Sequence, residues 1–134
     1  MNWMKHPEIV ILRKYYLLLH VCESTSALNA VMLFHDLRCI LTDCFDAIEV
    51  GAGYVVSQIL VESEERICDA LARMRKCKNI LNELKLIGML ELVVVANVAH
   101  SQKSCVQNFS QPTIEVLAQL ELGLSVVCEM QELL

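Results

Sequence analysis

LKLIGMLELVVVANV, residues Leu84–Val98, carries two conflicting signals. Val93, Val94 and Val95 are β-branched and favour extended backbone, since their side chains crowd the preceding turn of a helix. A strand, however, needs a neighbour to take up its backbone N–H and C=O groups. No second segment stands out as a strand that could pair with this one. A buried helix satisfies its backbone internally, so the segment is expected to be helical, with Gly88 as a kink or boundary. That choice makes the protein all-α.

Upstream, the chain from Leu60 to Gly88 supports the same class. Leu60, Ser63, Ile67, Ala70, Met74, Cys77, Leu81, Leu84 and Gly88 recur at spacings of three and four. A helix turns once per about 3.6 residues, which puts them on one stripe. Glu62, Glu64 and Glu65 come first and Arg73, Arg75, Lys76 and Lys78 follow, the order a helix dipole favours. This segment is expected to be a central helix.

Working outward, Pro7 and Glu8 make a good helix opening, and Ile9, Leu12, Tyr16 and Leu19 predict a helix to about Cys22. Ser24, Thr25 and Ser26 break it and can cap the next. A second helix is expected from Ala27 to about Val50, apolar on two stripes and therefore in contact on two sides. Gly51-Ala52-Gly53 is the clearest break. Tyr54 to Val61 is β-branched but is read as leading into the central helix. Residues 100–111 read as a polar surface loop, after which Ser110 or Gln111 caps a last helix that opens at Pro112 and runs to the end. The expected fold is thus a bundle of four to six helices in a single domain spanning residues 1–134. A fragment of an α-helical repeat solenoid is the alternative, although no period appears. The apolar pattern is still running at Leu133-Leu134, as in a truncated chain or an end docked on something.

Composition points to association. The 134 residues are 55 % hydrophobic but only 5 % aromatic, with mean hydropathy +0.46. So few polar positions are expected to leave apolar surface exposed, the usual mark of a partner site. A net charge of −5 disfavours nucleic acid, which is held by clustered Lys and Arg. Seven scattered cysteines and no secretory signal predict an intracellular protein, cytoplasmic or nuclear, in a reducing compartment. The most apolar segment, up to Ala99, is too short for a membrane span and contains Lys85, Glu91 and Asn97.

Motifs for chemistry are weak. His35, Cys39 and Cys44 have helical spacing, but no second ligand pair completes a zinc site. No histidine has a glutamate three residues before it, as a di-iron bundle requires. Cys77, between Lys76 and Lys78, is the nearest candidate nucleophile, yet it lies on the apolar stripe where a packed cysteine belongs. No phosphate-binding or nucleophile-elbow motif occurs. Arg66, Arg73 and Lys76 form one basic patch, without the interleaved aromatics of a single-strand binder.

The expected function is a non-enzymatic interaction or assembly module, without cofactor or metal, that buries helix faces against another protein chain. The partner is a second copy, as a homodimer, or a helical partner. Val31, Leu41, Ile59, Met74 and Leu81 are its expected interface positions. A small helical enzyme or ligand carrier with a Cys/His site, and a nucleic-acid-associated protein using the basic patch, are the competing readings.

Overall fold

A computed structural model describes residues 10–21, 26–61, 64–99 and 109–131. It overturns the all-α expectation: the chain is an α/β protein built on a five-stranded mixed sheet. Strand β1 (Val10–Val21) is followed by helix α1 (Ala27–Ile40), then the hairpin β2 (Phe45–Gly51) and β3 (Tyr54–Ile59). Helix α2 (Glu64–Met74) passes through a 3₁₀ turn (Arg75–Cys77) into α3 (Lys78–Ile87). Strand β4 (Gly88–Ala99), α4 (Gln111–Leu120) and β5 (Gly123–Gln131) complete the order. The strands lie β2-β3-β1-β4-β5, antiparallel except for the parallel β4–β5 pair. Up to β4 this is a split βαβ arrangement. β5 is added through the crossover helix that a parallel strand requires.

The supposed lone strand of Val93–Val95 has a partner after all. β1, expected as a helix, pairs with β4 along nearly its whole length, Tyr15 opposite Val94, Leu17 opposite Leu92 and Leu19 opposite Leu90. β3 lies on the other side of β1, with Val55 opposite Leu19 and Ile59 opposite Tyr15. All of these side chains are buried. Residues that alternate with them, Tyr16, Leu18, Val93 and Val95, occupy the opposite face of the sheet and are half-buried. Both faces of β1 and β4 therefore carry apolar residues. That hid the two-residue period and let a helical one be read through it.

The helices cover one face. α1 buries Ala30, Leu33, Phe34 and Leu37, spaced one helical turn apart, in the same cluster as the strand residues. The expected stripe of the central helix is present from Ile67 through Ala70, Met74, Cys77 and Leu81 to Leu84, all buried. Its ends differ: Leu60 is exposed ahead of the helix, and Gly88 opens β4. A Cβ at Gly88 would sit 1.9 Å from the His20 carbonyl oxygen, so glycine is what lets β4 close on β1.

The expected long second helix stops at Ile40. Leu41 leaves helical backbone geometry, the Cys44 amide bonds the Leu41 carbonyl, and the chain turns into β2. Gly51-Ala52-Gly53 does break the chain, as the tip of the β2–β3 hairpin, with Gly53 at φ +81° in the region glycine favours. The last helix forms where expected: Ser110 Oγ accepts from the Thr113 amide, and Pro112 lies in its first turn. It ends at Leu120, however, and Gly123–Gln131 form β5 instead of continuing it. The expected polar loop at 100–111 lies mostly outside the described residues.

Candidate functional site: the outer edge of the sheet

Three features of the described residues invite a functional reading: a polar pocket, a hydrogen-bonded trio on the open face of the sheet, and the β5 edge.

The pocket, about 450 Å³, lies where the α1–β2 turn meets α2, and is lined by Asp43, Cys44, Leu60, Arg66, Asp69 and Arg73. Two members of the expected basic patch, Arg66 and Arg73, come together there; Lys76 is exposed and lies outside it. The Arg73 guanidinium donates to Cys44 Sγ at 3.1 Å. Burial pushes the Cys44 thiol up, only partly offset by Arg73, and burial likewise raises Cys77. Both thiols are therefore protonated at neutral pH, the reverse of an activated nucleophile. With Asp43 and Asp69 in the same wall, the formal charges of the two arginines are balanced. His35 and Cys39 are exposed while Cys44 is buried, so helical spacing does not bring those three to one point.

On the open face, His20 Nε2 lies 3.1 Å from Glu91 Oε1, and Ser125 Oγ donates to Glu91 Oε2 at 3.0 Å. Serine, histidine and acid are all present, but the carboxylate is in the middle. A nucleophilic serine needs the imidazole beside it to take its proton. Here the trio instead ties β1, β4 and β5 together across the sheet.

The third feature is β5. Its helix-side residues continue buried rows, Leu124 beside Leu92 and Val126 beside Val94. Leu92 and Val94 are fully buried, whereas Leu124 is 45 % and Val126 44 % exposed. On the other face Val127 is 41 % exposed. Ile114 on α4 is also exposed. Among the described residues β5 pairs only with β4, so the backbone groups of its other side are open along nine residues. No proline or bulge interrupts the strand, and its one charged residue is Glu129.

The opposite edge, β2, is guarded. It has seven residues, and its register with β3 breaks between Phe45 and Ile48. Asp46 Oδ1 occupies the Ala47 amide at 2.8 Å, and Asp46 and Glu49 are exposed. Bulges, charges and short length are how sheets keep an edge from pairing.

The expected interface positions lie elsewhere. Leu41, Ile59, Met74 and Leu81 are buried in the core, and Val31 is half-buried. A helical stripe marks a buried face without saying what buries it, and here the sheet does. The signal missed was the run Leu124-Ser125-Val126-Val127-Cys128, rich in β-branched residues but read as the tail of a helix.

No protein-family model matches the chain, and no curated protein or solved structure is significantly similar to it. No described helix is long and apolar enough to cross a membrane.

Proposed function

We propose that the protein is a non-enzymatic assembly module whose working surface is the outer edge of β5, where another polypeptide adds a strand. The observation that carries this reading is the apolar exposure on both faces of an unprotected edge: Leu124 and Val126 on one side, Val127 on the other. An added strand takes up the open backbone groups through directional hydrogen bonds, while its side chains cover both rows. The unusual hydropathy of the chain has the same explanation, because a surface completed by a partner resembles a core cut open.

Photo-crosslinking in the native cellular setting tests this. A photo-reactive phenylalanine analogue is placed at Val126 in one variant and at Val50 on β2 in another. The expected result is attachment to another polypeptide chain from position 126 and none from position 50. Absence of any adduct from position 126, or equal yields from both, would overturn the reading.

A further inference from the structure

We infer that the strand added to β5 is the β5 of a second copy, antiparallel about a two-fold axis at Val127; this rests on the assembly reading above and names its partner. Side chains directly opposite one another in a continued sheet point to the same face, so pairing must keep the two-residue alternation in phase. Val127 is the middle of Gly123–Gln131, and only an axis there pairs the whole of the described strand, Gly123 facing Gln131 at either end. The same register sets Glu129 against Ser125 of the second copy, twice, and Val127 against itself. An axis at Glu129 would instead set two carboxylates opposite each other, and one at Ser125 would carry Glu129 past the start of the facing strand. Like charges directly opposite are unfavourable.

Charge also selects this pairing over a head-to-tail one. β5 against β2 of the next copy would bring Glu129 to an edge whose charged residues are Asp46 and Glu49, with no lysine or arginine to answer them. It would also meet the β2 bulge, and it would propagate without closing. Pairing β5 with β5 closes after two copies, joins the sheets into one of ten strands and leaves the guarded β2 edges outermost. The exposed apolar row on α1 is a poorer seam: Leu28 and Met32 are four residues apart, but Asp36 takes the next step before Ile40.

The test uses the purified full chain alone. Light scattering across a dilution series is expected to give twice the 15.1 kDa chain mass. Val127→Lys places two ammonium groups face to face and is expected to halve that mass, as is Val127→Glu. An equimolar mixture of the two variants is expected to restore the dimer, which a misfolded variant could not do. Val50→Lys on β2 is expected to leave the mass unchanged. Should the Val127 variants fail to fold, the native chain decides. Cys128 is exposed, and in this register its Cα lies about 8 Å from that of its symmetry mate, from a 4.8 Å strand spacing and about 3.3 Å rise per residue. A short dithiol-reactive crosslinker is then expected to join Cys128 to Cys128. A monomer at every concentration, a dimer indifferent to Val127→Lys, or a crosslinked dimer joined only through other cysteines would overturn the second copy as partner. A monomer that still gives a Val126 adduct with a different protein would leave the assembly reading standing, so the two fail separately.

Discussion

At one edge of the sheet, β2 is short, bulged and acidic, and one of its own carboxylates occupies the Ala47 amide; at the other, β5 runs unbroken for nine residues with valines and a leucine exposed. Both strands rest on the same central ladder. β2 reaches β1 through β3, and β5 reaches it through β4. The difference is therefore not one of support. Protecting an edge takes specific residues, and among the described residues they stand on one side only. On the proposed function that contrast is selective: the edge without such residues is the one that takes up a partner strand.

The largest effect is expected from erasing that difference. Replacing Asp46 and Glu49 together with valine removes the charge and the side chain that holds the Ala47 amide. Light scattering should then show growth beyond a closed pair into polydisperse assemblies, because both edges can add strands. An unchanged mass would mean that the bulge alone guards β2.

Next comes the ladder that the two edges share. Leu92 is fully buried between Leu17 and Leu124. Leu92→Ala should destabilise the fold by about 2–5 kcal/mol through lost burial and the cavity left behind, measured by denaturant unfolding. Exchange protection should fall in β2 and β5 alike. A loss confined to β5 would show that the edges are not jointly supported.

Ser125→Ala should separate them again. It removes the bond to Glu91 and should cost about 1 kcal/mol. Faster amide exchange is expected in β5 and none in β2. A smaller, opposite change is expected at the start of β5. Glu121 caps α4 with φ 54°, a left-handed conformation that glycine adopts with less strain. Glu121→Gly should raise stability by up to about 1 kcal/mol, seen as a higher unfolding midpoint with unchanged assembly.

Thiol chemistry gives the finest comparison. Cys128 on the open edge and Cys39 on α1 are exposed, whereas Cys44 and Cys77 are buried and held protonated. Among the described cysteines, alkylation near neutral pH should reach the exposed pair before the buried one, with Cys128 shielded as the protein concentration rises. The raised values also have a sign for stability. The folded state holds these protons more tightly than the unfolded chain, whose thiols titrate near 9.0. Their contribution is intact below that pH and is lost as pH rises through the folded values. The unfolding midpoint should fall in alkaline buffer, and less steeply in Cys44→Ala.

How much of this was legible in the sequence depended on what each segment packs against. The stripe from Ile67 to Leu84 was readable because its helix has one buried face and a charged remainder. β1 and β4 were not, because central strands with apolar residues on both faces lose the alternation that distinguishes them. Val93–Val95 pairs with Lys14–Tyr16, a stretch whose own apolar pattern also reads as a helix, so neither strand reveals the other in the sequence. Of the expected basic patch, Arg66 and Arg73 line one pocket together with two aspartates and Lys76 does not, while the proposed working edge was concealed inside an expected terminal helix. Whether a strand is an edge or a centre is a property of topology, and local pattern does not carry it.

The central claim, that β5 is the edge that takes up another strand, is tested most directly by amide hydrogen exchange of the whole chain at low and high protein concentration. Residues Gly123–Gln131 are predicted to gain protection as concentration rises, while Phe45–Gly51 stays unchanged. Protection of β5 that does not depend on concentration, or a gain at β2 instead, would contradict the account.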